Sequence, residues 1–254
     1  ANDRLTQQSE KIDSAPWRDY RKAHTERYGN LHEYIEAAFP ALSGGDPLVA
    51  AAIGEEIDEM FRDKEPTALF QYTLHCWDAY KAGRIPAGAW AAALAVAWQS
   101  GQRTMLDHVA LSQALVVRMF QSADKEVLYR VGTGREGWAD YYATLPEHID
   151  IYRGITTGMK HAETGLCWTT NADHAKQFSG SNVRKASEIP GVIHATLAKT
   201  AILAVFDHRD EVVIDPSAEK QNLTTNYLNG PGLTKFRQNW KKWQAEEEKR
   251  ARGG

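Results

Sequence analysis

The fold is decided by three short stretches of the second half of the chain: Ile149-Asp150-Ile151-Tyr152-Arg153-Gly154, Gly165-Leu166-Cys167-Trp168-Thr169-Thr170 and Glu211-Val212-Val213-Ile214. Each is rich in β-branched and aromatic residues and is separated from the next by turn-forming residues, which is the pattern of β-strands. The same texture predicts two more strands, at 191–197 and 201–206. The region is therefore predicted to be built around a β-sheet.

One helix is predicted to interrupt these strands. Either Asn171 or Asp173 can cap its N-terminus, because their side chains accept hydrogen bonds from the first free backbone N–H groups of a helix. Ala175 and Phe178 are three residues apart and would share the face that packs on the sheet.

The first half of the chain has a helical pattern up to about residue 147. Apolar residues recur at three- and four-residue spacings, and Pro and Gly divide the pattern into five or six predicted helices. Residues 87–99 are apolar on nearly every side, which predicts a central core helix in which Trp90 and Trp98 pack rather than bind ligand. A helical pattern returns from Thr234 to Arg252. The sequence thus predicts an α+β protein with a helical N-terminal half and a C-terminal helix.

These changes in residue pattern divide the chain into three predicted regions: a helical region (1–145), a core (146–216) and a basic helix or tail (217–254). The formal charge of the 254-residue chain is −3. That charge divides into −7 for 1–150, 0 for 151–216 and +4 for 217–254. Such a balance excludes a chain coated with positive charge for nucleic acid, although the basic tail leaves room for an anionic partner.

Composition narrows the class of protein further. Two cysteines, Cys76 and Cys167, are too few for a disulfide framework or a thiolate zinc site, and no His-x-x-x-His pair suggests a metal. The longest apolar run, Ala89–Trp98, is about half a membrane span. We therefore expect a cytoplasmic protein that uses no metal and does not enter a membrane.

The run Gly132-Thr133-Gly134-Arg135-Glu136-Gly137 matches the dinucleotide fingerprint in letters only. That fingerprint works between a strand and a helix, with an acidic residue about 20 positions further on. Here a predicted helix precedes it and the acid is missing, so a glycine-rich connector is predicted instead.

The three strand segments, in this order and with Asp207-His208-Arg209-Asp210 directly before Glu211, resemble the ADP-ribosyltransferase superfamily. The resemblance is to its arginine–serine–glutamate branch, which includes cholera-toxin-like and phage-encoded transferases, and it covers about 70 residues. It implies a split β-sandwich that holds NAD, as a substrate, in a cleft. It also implies a toxin or phage-conflict protein with an antitoxin or other inhibitor as partner.

The resemblance assigns roles to individual residues, and their chemistry suits those roles. Glu211 would stabilise the oxocarbenium-like state formed when the nicotinamide–ribose bond breaks. Arg153 offers a planar cationic fork for a dinucleotide phosphate, and Gly154 would let the ligand approach the backbone. The hydroxyls of Thr169 and Thr170 would position the carboxylate and the substrate. Further NAD contacts are predicted for the residues Trp168, Phe178 and Arg184.

The chain departs from the family at the Ser-Thr-Ser triplet. The triplet aligns either with Trp168-Thr169-Thr170 or with Cys167-Trp168-Thr169, so Trp or Cys replaces its first serine. We predict Thr169 as the orienting hydroxyl and Thr170 as the second choice.

A second departure concerns the acceptor of the ADP-ribosyl group. Relatives that modify protein arginine usually carry Glu or Gln two residues before the catalytic Glu, where this chain has Arg209. A loop with His208 and Arg209 favours a phosphate-bearing acceptor, narrowly RNA over protein, whereas Asp210 is a weaker candidate for a base. The predicted function is therefore NAD-dependent mono-ADP-ribosyl transfer. The alternatives are an NAD glycohydrolase, a transferase with a protein acceptor, and a non-catalytic binding module.

Overall fold

The structure is a computed structural model that describes residues 31–61, 68–103, 112–183, 185, 187–207 and 210–253. Within its helices, the side chains of residues 101–103, 240 and 243–253 lie outside that description. Three residues named above, Arg184, His208 and Arg209, also lie outside the described residues.

The chain divides into two compact units. The first comprises Ala1–Ala143 with Ala204–His208, and the second comprises Thr144–Leu203 with Arg209–Gly254. The division falls inside one strand, Ile202–Phe206, whose first two residues belong to the second unit and whose last three belong to the first.

The described part of the helical half forms seven helices: α1 (Leu31–Ser43), α2 (Pro47–Phe61), α3 (Ala68–Lys81), α4 (Ala87–Arg103), α5 (Gln113–Ser122), α6 (Lys125–Thr133) and α7 (Trp138–Thr144). Five or six were predicted in this half. One break that the pattern missed separates α5 from α6, where Asp124 caps α6 by accepting a hydrogen bond from the backbone N–H of Val127. A capping carboxylate supplies one of the partners that the first turn of a helix lacks, so a new helix begins without any Pro or Gly.

Helix α4 is the core of the first unit, as predicted. Every residue from Ala89 to Trp98 is buried. Trp98 packs edge-on against Phe120, with ring centroids 4.9 Å apart, and Trp90 lies 5.0 Å from Trp77. Both predicted packing tryptophans are therefore core residues.

The glycine run 132–137 closes helix α6 and leads into α7. Gly134 is the C-cap, with a φ of 71° that an L side chain rarely adopts. Gly132 has a different function, since a Cβ atom there would come within 2.6 Å of the Phe206 ring. The run is a helix end and connector, as predicted.

The six strands of the described residues are β1 (His148–Thr156), β2 (Cys167–Thr169), β3 (Pro190–Ala198), β4 (Ile202–Phe206), β5 (Glu211–Ile214) and β6 (Lys220–Tyr227). They form one sheet in the order β4-β5-β2-β1-β3-β6, with antiparallel pairing of β1 with β2 and β3, β2 with β5, and β3 with β6. Short 3₁₀ turns at Ala162–Thr164 and Lys199–Ala201 join some of them. Five of the six strands were predicted, whereas β6 was not.

Two helices complete the second unit: α8 (Ala172–Ser181) and α9 (Gly230–Gly253). Asn171 caps α8, accepting hydrogen bonds from the backbone N–H groups of Asp173 and His174, and Ala175 is fully buried. The architecture is α+β, with a mostly helical N-terminal half, an antiparallel sheet and a C-terminal helix. Among the described helices, none combines the length and the apolar character needed to cross a membrane.

Candidate functional site

The three motif segments lie on the neighbouring strands β1, β2 and β5. Tyr152 of β1 pairs with Thr169 of β2, and Thr169 pairs with Glu211 of β5. Directly opposite residues of an antiparallel pair project from the same face of the sheet. The fold therefore brings Thr169 and Glu211, distant in sequence, into one cross-strand row.

Glu211 is the first residue of β5 and is 1% exposed. The thiol of Cys167 donates a hydrogen bond to its Oε1, with 3.0 Å between sulfur and oxygen. Because Cys167 is two residues before Thr169 on β2, the period of the strand places both on the face of Glu211. A buried carboxylate thus has a side-chain donor from the adjacent strand.

Burial and the negative charge of Glu211 raise the pKa of the Cys167 thiol well above its usual range, while Arg153 opposes the shift. The thiol is therefore protonated at neutral pH and serves as a donor to the carboxylate. A protonated thiol is a weak nucleophile, so the arrangement suits positioning better than covalent catalysis.

Arg153 reaches the same residue from β1. Its Nη1 donates a hydrogen bond to the backbone carbonyl of Cys167. The guanidinium occupies the space beside Gly165, where a Cβ atom would overlap it. Cys167 consequently contacts both charged groups. Its backbone carbonyl accepts a hydrogen bond from the Arg153 guanidinium, and its thiol donates one to the Glu211 carboxylate.

Thr169 is 1% exposed, and its Oγ1 accepts a hydrogen bond from the backbone N–H of Asn171 at 3.1 Å. Thr170 is exposed, and its N–H donates to the carbonyl of Asp210 at 3.0 Å. Trp168 is buried on the other face of β2, where its indole N–H donates to the carbonyl of Gly165 at 2.7 Å. Of the three, Thr169 lies directly opposite Glu211.

Sequence reasoning did not name Cys167 as a site residue. In the structure its thiol donates a hydrogen bond to the Glu211 carboxylate. Cys167 is also the residue that the Cys167-Trp168-Thr169 alignment puts in place of the family's first serine. The two-residue period of a strand, applied to Thr169, could have identified it. The predicted role of the Thr169 hydroxyl toward Glu211 stays a prediction.

Gly154 and Phe178 meet where α8 packs on β1. A Cβ atom at Gly154 would overlap the carbonyl of Ala175 and lie 2.5 Å from the backbone nitrogen of Ser179 and 2.8 Å from Cβ of Phe178. This glycine thus allows the helix to pack close to the strand. The contact of Gly154 with NAD stays a prediction.

Asp210, directly before Glu211, has a φ of 51°, in the left-handed region. Its Oδ2 accepts a hydrogen bond from Nδ2 of Asn171 at 3.2 Å and lies 3.4 Å from Nδ1 of His174. Asp210 is thus hydrogen-bonded to the residue that caps the start of α8.

The predicted acceptor region is described only in part. Helix α9 exposes the basic side chains of Lys235, Arg237, Lys241 and Lys242. The side chains of Trp240 and Trp243 and the whole of His208 and Arg209 lie outside the described residues. Nowhere in the described ranges do three or more His, Cys, Asp or Glu side chains cluster as metal ligands.

Comparison with known protein families, curated proteins and solved structures gives no match for this chain.

The pKa of Cys167 gives a direct test of its contact with Glu211. Replacing Glu211 by Gln removes a negative charge that raises this pKa, so the thiolate fraction at pH 8 increases and maleimide labels Cys167 several-fold faster. The labelling rate is measured by mass spectrometry of the digested protein. Cys76 is the internal control, because it is fully buried and burial raises its pKa to about 12. An unchanged rate at Cys167 would contradict the contact.

Proposed function

We propose that this chain is an NAD-dependent mono-ADP-ribosyltransferase, with Glu211, Thr169 and Arg153 as its catalytic residues. One observation carries the proposal: Cys167 joins the buried Glu211 carboxylate to the Arg153 guanidinium across three adjacent strands. A buried carboxylate and a guanidinium, both hydrogen-bonded to Cys167, match the two charges of the substrate that need recognition, the cationic ribose of the transition state and the anionic pyrophosphate.

The chemistry assigned to these groups is substitution at the anomeric carbon of the nicotinamide-bearing ribose. The glycosidic C–N bond breaks, and nicotinamide leaves with the bonding electron pair as a neutral molecule. The acceptor oxygen or nitrogen forms the new bond to that carbon and loses its proton. Glu211, hydrogen-bonded to the ribose 2-hydroxyl, opposes the positive charge that develops on the ring, and this interaction is strongest in the transition state.

Arg153 is assigned to the pyrophosphate, where its planar fork can donate two parallel hydrogen bonds. Its Nη1 is already directed by the carbonyl of Cys167, which limits the rotamers that it can adopt. Such preorientation lowers the entropic cost of binding. Further NAD contacts are proposed for Gly154, Thr170, Phe178 and Arg184, and for Trp168, which lies on the face of β2 opposite Glu211.

The proposed fold of the second unit is the split β-sandwich that this chemistry uses in the family that the sequence resembles. The described strands form a single six-stranded sheet, and what bears on the proposal is that β1, β2 and β5, which carry the motif, are consecutive in its order β4-β5-β2-β1-β3-β6.

The proposed acceptor is nucleic acid, with RNA preferred over protein. The exposed basic residues of α9 belong to the same unit as Glu211 and provide charge for phosphates. The sequence directly before Glu211, with His208 and Arg209, favours the same class of acceptor. A transferase of this kind harms the cell that makes it, so the proposal includes a cytoplasmic toxin or phage-defence role and an inhibitory partner protein.

The experiment is incubation of the protein with NAD labelled in its adenylate half and separated pools of RNA, DNA and protein. Label in the RNA pool is the expected result, with one nicotinamide released for each ADP-ribosyl group transferred. Label only in protein would exclude the nucleic-acid acceptor, and free ADP-ribose without labelled macromolecule would identify a glycohydrolase. Unconsumed NAD in every pool would overturn the proposal.

A further inference from the structure

The residue before Glu211 has a left-handed backbone conformation, and hydrogen bonds from its surroundings hold it there. Asp210 has a φ of 51°, and an L residue with a Cβ atom adopts such a value at a cost. Backbone strain of this kind persists where neighbouring groups over-determine it. Because Asp210 directly precedes Glu211, its backbone conformation determines the position of the Glu211 backbone, from which the carboxylate side chain extends.

Asn171 supplies one of the groups that hold Asp210 and connects it to two other elements. Its Nδ2 donates to Oδ2 of Asp210 at 3.2 Å, and its Oδ1 caps α8 by accepting from the N–H of Asp173 at 2.9 Å. Its own N–H donates to Oγ1 of Thr169 at 3.1 Å. Asn171 therefore connects the end of β2, the start of α8 and the turn into β5.

A second bond closes the same connection through the main chain. The N–H of Thr170 donates to the carbonyl of Asp210 at 3.0 Å, so both the carbonyl and the carboxylate of Asp210 are held from the β2–α8 junction. Nδ1 of His174 lies 3.4 Å from the same carboxylate oxygen. Asp210 is thus hydrogen-bonded to the β2–α8 junction, which directly follows Thr169.

We infer that Asn171 is a positioning residue for Glu211, acting through its side-chain hydrogen bond to Asp210. The inference rests on the proposed function, because it concerns the carboxylate that the proposal makes catalytic. Without the bond, Asp210 relaxes toward negative φ and displaces Glu211 from its hydrogen bond with Cys167. Displacements of about 1 Å in a catalytic group cost up to about 100-fold in rate.

The key variant is Asn171→Asp. Asp is as good an N-cap as Asn, so α8 keeps its cap, but the donor to Asp210 is replaced by a carboxylate facing a carboxylate. We expect kcat for NAD cleavage to fall about tenfold with KM for NAD changed less than about twofold, because Glu211 acts in the transition state. A residue that served only to cap the helix would leave kcat unchanged in this variant.

The rescue is the exchanged pair, Asn171→Asp with Asp210→Asn. There the new Asn at 210 donates to the new carboxylate at 171, so the bond returns with its direction reversed. Asn also tolerates positive φ. We expect kcat of this double variant to recover to within about threefold of the original, since a restored pair cancels most of the single-variant loss.

A readout independent of NAD distinguishes failure of this inference from failure of the proposed function. If Glu211 moves away from Cys167, maleimide labelling of Cys167 accelerates in Asn171→Asp and returns toward the original rate in the double variant. The matched control is Asn226→Asp, the same chemical change at an exposed residue of β6. Folding of each variant is verified by its thermal unfolding midpoint.

Original kcat and original labelling in Asn171→Asp would overturn the inference, and so would a double variant as impaired as the single one. If the original protein consumes no NAD while the labelling rates respond as expected, the proposed function fails and the positioning of Glu211 by Asn171 stands.

Discussion

Replacing Glu211 by Gln is expected to lower the rate of NAD cleavage by about 100- to 1,000-fold, the loss that follows removal of one preorganised electrostatic group from a transition state. The substitution keeps the size of the side chain, and the amide oxygen can still accept the hydrogen bond from the Cys167 thiol. It removes the negative charge that would oppose the cationic ribose. The effect should therefore fall on kcat, with KM for NAD changed little. Release of nicotinamide, measured under saturating NAD, gives the rate.

The matched control is Glu219→Gln, which makes the same change at an exposed position of the same unit. Its rate should equal that of the original protein. Because Glu211 is 1% exposed, the thermal unfolding midpoint of each variant is needed to separate loss of chemistry from loss of structure. A folded Glu211→Gln protein that cleaves NAD at the original rate would show that the reacting carboxylate has been assigned to the wrong residue.

The second large effect is expected on stability, from Gly154→Ala. The added methyl group would overlap the carbonyl of Ala175 and approach the backbone nitrogen of Ser179 to 2.5 Å. Both are main-chain atoms of α8, so no side-chain rotation relieves the contact and the helix itself must move. Overpacking of this kind costs about 1–3 kcal/mol and occasionally more, and the rigidity of both neighbours places this site at the upper end. Urea unfolding followed by circular dichroism measures the change in the free energy of unfolding.

Gly232→Ala is the control for that substitution. It lies in α9 of the same unit, and a Cβ atom there would meet Cδ2 of Leu228 at 3.6 Å, an ordinary van der Waals distance. We expect no loss of stability, since Ala is the better helix former. If the two variants unfold at the same urea concentration, α8 is not packed against β1 as the structure has it.

The strands that carry the motif were predictable because their signals are local. Alternation and β-branched residues define β1 to β5, and Asn171 is a strong cap at the start of α8. Strand β6 has no such signal, because Lys220–Tyr227 is a polar run whose residues are almost all exposed. It forms by pairing with β3, and this pairing depends on the tertiary structure rather than on local sequence.

The site was predictable in its residue types and less so in its contacts. Glu211 stands out as a charge at the start of β5, and Arg153 stands out as a charge within β1. Which side chain reaches Glu211 depends on the register of β2 against β5. That register is set by long-range pairing. The sequence therefore predicts the hydroxyls of Thr169 and Thr170 as partners of Glu211 and not the thiol of Cys167. The positive φ of Asp210 likewise follows from contacts with α8 that the sequence does not reveal.

The division of the chain inside β4 has a consequence for how the protein is made. Phe206, at the end of β4, is fully buried and lies where Gly132 leaves room for its ring, and the carbonyl of Gly132 accepts a hydrogen bond from the N–H of Asp207. Gly132, at the end of α6, is translated 74 residues before Phe206, and domains generally fold as units from the N-terminus during synthesis. The helical unit is therefore completed by a segment translated after three of the six described strands, and a fragment that begins at residue 145 would leave Phe206 without its cover. A gene for either half alone would therefore encode an incomplete hydrophobic core.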